Sequence, residues 1–353
     1  MRTTCCLLIL MAFGVFGKQT PPPVPPVPKS EQILEEEVVE PQKWNLHKWL
    51  GLGYRYDQQQ FTQHLRGGAL NTKTSIVPRN TAVFLSGSTL RWHDILLSSR
   101  ASFGWLCNGT LDYWQKNTGA TEPFNLRGFD LGAGYTADVQ AQLGWRWRAY
   151  HKPHFGFYLI PSIGYKYSHI MNYPEGQKRF TIPTPPAVLP PGTSGFILGN
   201  YPNPNQQDWF GPYVEGKIMF RHGHQWEWLL FYQYHWPSLR SKTIFQQQEY
   251  QFTGGGATLS SVQLTRYSSV FHGHSLQTQL AGTDFRFQHG AGWNLGFHFE
   301  GSGTWSHPNR LYLKTTREQY VEAPTGLTVT NSSDPTHVLW IQYLTYLYAG
   351  YLF

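Results

Sequence analysis

Cysteine is nearly absent from this chain, with three in 353 residues. Two of them, Cys5 and Cys6, stand in the first apolar run, so Cys107 alone is expected beyond it and no internal disulfide framework can form. Charge is scarce as well: Asp, Glu, Lys and Arg make up 14% of the residues, against roughly 25% in soluble domains. Past the N-terminus no apolar run reaches the roughly 18 residues a membrane helix needs, which excludes a helical membrane protein. The formal charge of +7 is spread along the chain, without the dense basic run of a nucleic-acid footprint, and no nucleic-acid partner is expected. Histidine spacing gives no metal site, since His222-Gly223-His224 falls in an expected tight turn with no third ligand. No cofactor is expected.

Aromatic residues, by contrast, reach 16%, with 14 Trp, and there are 35 Gly. They are arranged with a period of two, which puts alternate side chains on opposite faces of a strand. Segment 129–149 is the clearest case. Phe129, Leu131, Ala133, Tyr135, Ala137, Val139, Ala141, Leu143, Trp145 and Trp147 share one face, and Asp130, Asp138, Gln140, Gln142, Arg146 and Arg148 share the other. A turn at His151-Lys152-Pro153-His154 leads into a returning strand with Phe155, Phe157, Leu159, Ile163, Tyr165 and Tyr167 on its apolar face. The same hairpin recurs around 222–225 and 289–292, and again around Trp92-His93-Asp94. Together with a first strand at 48–58 and a terminal strand, the pattern predicts about ten strands, with short turns alternating with long connections. Only alternate residues of such a wall need face lipid, so low charge and moderate hydrophobicity are compatible with a membrane barrel.

The terminal strand carries the sharpest signal. Leu339, Ile341, Tyr343, Thr345, Leu347, Ala349, Tyr351 and Phe353 fall on one almost wholly apolar face. An aromatic-edged strand ending on phenylalanine resembles the last strand of Gram-negative outer-membrane β-barrels. In that class the strand closes the barrel and acts as its assembly signal, a role the resemblance assigns to Tyr351 and Phe353. Over residues 45–353 the chain is similar to ten-strand barrels of the omptin-like adhesin and peptidase type. It also resembles, more distantly, the small porin-like outer-membrane proteins of chlamydia-related bacteria. The expected fold class is therefore all-β: an up-and-down antiparallel transmembrane barrel of about ten strands, with short periplasmic turns and long extracellular loops.

The remaining segments fit that address. Arg2, the apolar run Cys5 to Phe13 and Val15-Phe16-Gly17 read as an export signal over residues 1–17. Residues 18–44, with a polyproline stretch from Pro21 to Pro28 and acidic residues from Glu31 to Glu40, read as a periplasmic tail. Residues 45–353 are the expected barrel, in the cell outer membrane. Expected partners are outer-membrane lipid and lipopolysaccharide, and the barrel-assembly machinery through the last strand. A host or surface ligand at the extracellular loops is the further partner this architecture allows.

The expected lumen-lining set is Asp138, Arg146, Arg148, Glu215, Lys217, Arg221, Glu227, His235, Asp284, Arg286, His298 and Glu300, with Arg55, Asp57, Arg91, Arg100, Asp112 and Lys166 on the same parity. In so narrow a barrel, opposite charges are expected to pair into a network that blocks bulk water. A narrow channel is the alternative. The omptin resemblance raises proteolysis, which in that family uses an aspartate pair opposite an aspartate–histidine pair at the outer rim. Asp57, Asp112, Asp130, His274 and His337 are the nearest rim residues, and no spacing forces them together. His274-Ser275 and Ser333-Asp334 with His337 suggest a lipid hydrolase only weakly, because adjacent strand residues point to opposite faces. The expectation is a non-enzymatic barrel, acting as adhesin or scaffold or as a narrow porin-like channel. A protease or lipid-modifying hydrolase at the mouth is the alternative.

Overall fold

The computed structural model describes residues 44–64, 70–117, 124–152, 154–181, 194–198, 205–223, 225–253, 258–273, 276–289, 292–306, 313–323 and 326–353. The expected export signal, the tail up to residue 43, the proline-rich connection near residue 190 and the His274-Ser275 pair lie outside the described residues.

Fifteen strands form one sheet, and every pairing is antiparallel. In chain order they are β1 (Asn45–His64), β2 (Leu70–Trp92), β3 (Ile95–Asn117), β4 (Phe124–Trp145), β5 (Trp147–Lys152), β6 (Phe155–Thr181), β7 (Ser194–Leu198), β8 (Asn205–His222), β9 (Trp226–His235), β10 (Ser238–Thr253), β11 (Thr258–Gly273), β12 (Leu276–His289), β13 (Trp293–Ser306), β14 (Leu313–Ala323) and β15 (Gly326–Leu352).

Several of these are pieces of one wall strand. Both β9 and β10 run along β8. They are parted at Trp236-Pro237, where proline has no N–H to give to the ladder. Arg146, whose N–H donates to the Asp94 carbonyl at 2.7 Å, parts β4 from β5, and both of these pair with β6. β11 and β12 lie in turn along the combined β9–β10 strand, β13 and β14 in turn along β15, and β7 borders only β10. What remains is a ring of ten wall strands, closed where β15 returns to β1 from His47↔Leu352 to Gln63↔Thr336. Among the described residues each of these ten wall strands is paired on both sides, which is the condition for a sheet to cross lipid.

The faces divide as alternation requires. Leu50, Leu52, Leu97, Val139, Leu143, Ile163, Leu295 and Leu347 are exposed on the outside. So much exposed apolar surface would drive association in water, but it is what a lipid-facing wall needs. Aromatic pairs edge this band near the hairpin turns: Trp44 stacks on Trp92 at 5.4 Å, Trp226 meets Phe287 at 4.4 Å and Trp293 meets Tyr351 at 5.1 Å. About ten residues along the strands, a bilayer's worth, a second belt includes Phe103 with Trp105 and Tyr234 with Trp236, each pair 4.8 Å apart. The last residue joins the wall: the Phe353 N–H donates to the Leu46 carbonyl at 2.9 Å. The tight turn after β2 uses His93 with φ 58°, a left-handed conformation that non-glycine residues seldom adopt.

Four positions depart from simple alternation, and bulges or register shifts explain each. Leu131, expected to face lipid, is buried inside, because the β4–β6 register shifts between Leu131 and Ala133. Leu111 is buried and Asp112, expected inside, is exposed, because β3 carries one extra residue, Cys107, between the Thr81↔Leu106 and Asn80↔Asn108 pairs. Each extra residue inverts the parity of everything beyond it. Arg148 is exposed rather than enclosed, because the break at Arg146 and the shift between Arg148 and Tyr150 end the regular wall there.

Candidate functional site

The inward face of the barrel builds three layers. At the level farthest from the hairpin turns, Ile170, Trp209, Leu239, Leu276, Val338 and Trp340 form an apolar cluster, with Phe61 packed against it. The Trp209 and Trp340 rings lie 4.6 Å apart. These residues come from β6, β8, β10, β12 and β15, so the cluster bridges the bore rather than lining one wall.

Beneath it lies a charged layer. Asp57 is wholly buried and accepts from Arg55 Nε at 2.9 Å, Arg79 Nη1 at 3.2 Å and Trp340 Nε1 at 2.9 Å. Arg55 reaches across to Asp138 at 2.8 Å, and Ser102 Oγ donates to the same carboxylate at 2.8 Å. Arg79 also donates to Asn172, Thr81 and the Tyr135 carbonyl. Burying such charges costs several kcal/mol each unless partners surround them, and here the partners come from six strands.

Below that runs a continuous chain of ion pairs. Arg100 grips Glu300 with two bonds, at 2.9 and 3.1 Å. His298 sits between two carboxylates, with Nε2 3.0 Å from Glu300 and Nδ1 3.1 Å from Asp284. The Tyr348 hydroxyl donates to Asp284 at 2.7 Å, and Arg286 donates to Tyr348 at 3.3 Å and to Glu227 at 3.2 Å. Lys217 pairs with Glu215 at 2.7 Å. Hairpin register explains the geometry: Asp284 lies directly opposite His298, and Glu227 lies opposite both Arg286 and Arg221.

This chain lines a cavity of about 440 Å³. Asn45, Arg91, Leu96, Gln288 and Leu352 place its mouth at the hairpin-turn end, and Arg100, Gln140, Glu300 and Tyr346 form its floor. Of the expected set, Arg146, Glu215, Lys217, Arg221, Glu227, Asp284, Arg286, His298 and Glu300 line it. Asp138 belongs to the charged layer above. His235 is buried apart from the cavity, with Nε2 3.1 Å from the Gly211 carbonyl. Arg148 stays exposed at the rim, opposite Tyr158 in register. Tyr351 and Phe353 pack edge-to-face at 4.9 Å on the outer wall.

Sequence reasoning passed over Arg79, because residues around 70 read as a connection rather than as the upper half of β2. The alternation Arg79, Thr81, Val83, Leu85 was the available signal. It also passed over the outer-wall pair of His169 Nδ1 and Asp208 Oδ1, 2.7 Å apart, whose carboxylate accepts from the Tyr167 hydroxyl at 2.7 Å. Of the rim residues considered for hydrolysis, Asp57 is held in the charged layer and His337 Nδ1 lies 3.2 Å from Ser306 Oγ. The side chains of Asp130, His274, Ser333 and Asp334 lie outside the described residues. Among the described residues, no three His, Cys, Asp or Glu side chains group closely enough to hold a metal ion.

Comparison with known proteins places this geometry. The family model described as Protochlamydia outer membrane protein matches residues 49–325. No curated protein matches the chain in sequence. Among solved structures, the outer membrane protease OmpT from Escherichia coli is similar with a TM-score of 0.55 at 10% identity, over 89% of this chain and 99% of that one. That likeness speaks for the fold alone. The translocator domain of the autotransporter NalP from Neisseria meningitidis (TM-score 0.23, 9% identity, 86% and 88% covered) and the toluene transporter TodX from Pseudomonas putida (0.24, 10%, 86% and 89%) are more remote and carry no argument.

Proposed function

The chain belongs to the Protochlamydia outer membrane protein family and forms an outer-membrane β-barrel, and from that premise we propose that it is a narrow porin-like channel whose outer end is closed by an aromatic gate. The carrying observation is the cavity of about 440 Å³ that enters the lumen from the hairpin-turn end and is lined by charged side chains. The polar column continues above it. Gln59, Thr136 and Asn172 each keep a buried side-chain polar atom with no hydrogen-bond partner in the protein, as Gln233 does in the cavity wall. A buried polar group left unmet costs about 1–3 kcal/mol, so such groups bind water, and a hydrated column supports passage of small polar solutes. The Trp209–Trp340 layer is then an apolar constriction of the kind that gates by dewetting. In this reading residues 1–17 direct export, and Tyr351 and Phe353 offer the assembly machinery its contact.

The second reading is a sealed scaffold or adhesin, favoured by the same apolar layer and by the paired charges beneath it. An omptin-like hydrolytic site draws no support from the described rim residues. Planar-bilayer recording separates the two readings. The purified barrel should give small stepwise currents, and Trp209→Ala with Trp340→Ala should enlarge them. Silence from both proteins would favour the scaffold and end the channel reading.

A further inference from the structure

We propose that the hairpin-turn mouth of the lumen is a binding site for a small oxyanion, held by Arg91, Arg146 and Arg221. The cavity is lined by six cationic side chains but only four carboxylates. Its deep cations are matched one to one: Arg100 with Glu300, Lys217 with Glu215, and Arg286 with Glu227. The mouth is not matched. Glu227, already bonded to Arg286, is the carboxylate nearest Arg221, and the separation there is 4.0 Å. Arg91 gives its Nε to the backbone carbonyl of His93, which neutralises nothing. Arg146 faces Asp94 at 3.6 Å, but Asp94 is half exposed and does not line the cavity.

Arg146 makes this a built site rather than a scatter of surface charge. Its side chain is 8% exposed and its guanidinium lies over the Tyr158 ring at 5.0 Å, which fixes the plane. Its Nε has no hydrogen-bond partner in the protein, and neither does the Nε of Arg221, whose contact with Glu227 is too long for a hydrogen bond. The three arginines come from β2, from the break between β4 and β5, and from β8; Arg146 and, more weakly, Arg221 act on the charge of Arg91, and the single carboxylate of Asp94 offsets them only in part. Like charges held together in an enclosed mouth repel unless an anion sits among them. Planar guanidiniums with N–H groups not spent on the protein match the oxygens of phosphate or carboxylate in pairs. The site is a statement about binding and stands whether or not the barrel conducts.

The test is calorimetry on the full chain in neutral detergent, with inorganic pyrophosphate as the probe. Saturable binding is expected, weakened about tenfold by Arg91→Gln and by Arg221→Gln, since a charge-assisted hydrogen bond is worth roughly a factor of ten or more. Arg146→Lys, which keeps the charge but loses the planar fork, should weaken it as well. Arg148→Gln, outside the cavity, should not. Unheated gel mobility verifies that each variant is a folded barrel. A flat titration of the wild-type protein, or equal losses in Arg148→Gln and Arg221→Gln, would overturn the site. Competition by phosphatidylglycerol but not phosphatidylcholine in nanodiscs would identify a lipid headgroup as the natural oxyanion source, and its absence a free anion.

Discussion

Glu300 shows how much one lumen side chain carries. It is almost wholly buried, takes two bonds from Arg100 and faces His298 on its other side. Glu300→Gln keeps the shape but removes the charge, leaving the partly buried Arg100 guanidinium without its paired carboxylate. Breaking such a pair from one side costs about 3–5 kcal/mol. We expect the variant to assemble but to unfold from detergent at markedly lower urea, and an unchanged midpoint would show that water replaces the lost partner. That Glu300 and His298 face inward was legible from the alternation of Phe297, Phe299 and Trp305 against them. That Arg100 would be the partner was not, since it lies on β3, 200 residues away in sequence.

At the scale of the element, strand faces were readable almost throughout because the side-chain period depends only on local backbone geometry. Leu143 on β4 is exposed in the middle of the lipid-facing band. Leu143→Arg should cost roughly 2–4 kcal/mol of barrel stability at such a depth, while an arginine in place of Tyr150, near the lower edge, should cost at most about 1 kcal/mol. Equal unfolding midpoints for the two in lipid vesicles would contradict the placement of the band. What alternation could not foresee is where a strand slips by one residue. Asp112 and Leu131 were assigned to the wrong faces because Pro78 near Asn80 and Gly132 beside Leu131 permit a bulge without fixing that one forms there. Gly296 shows a further limit: the Tyr348 ring lies against it, so a Cβ there has no room. Gly296→Val should push Tyr348 off Asp284 and Arg286, and the near-ultraviolet circular dichroism of the buried tyrosine should report that displacement.

For the whole molecule, the balance of charge in the lumen sets the expected behaviour. Cations outnumber carboxylates along the cavity wall, so its potential is positive and anions are drawn in over cations. If the barrel conducts as proposed, a potassium chloride gradient should give a reversal potential of the sign for chloride preference. That preference should shrink at molar salt, where the screening length falls to about 3 Å. A reversal potential of the opposite sign would mean that Glu215, Glu227, Asp284 and Glu300 dominate the path. Strand number, parity and closure were within reach of the sequence, since four tight turns and two matching termini leave few ways to close a ring. The apolar layer across the bore was not: Ile170, Trp209, Leu239, Leu276 and Val338 lie far apart in the chain and come together only when the ring closes.

The sequence by itself determined an all-β wall with lipid-facing and lumen-facing sides, because alternation is a property of each strand alone. Only the tertiary structure decided which inward charges meet, which layer blocks the bore and where a cavity is left. Those outcomes depend on the stagger of ten strands around a ring and on single-residue shifts between neighbours, and a strand's own residues do not encode the register of its partner across the barrel.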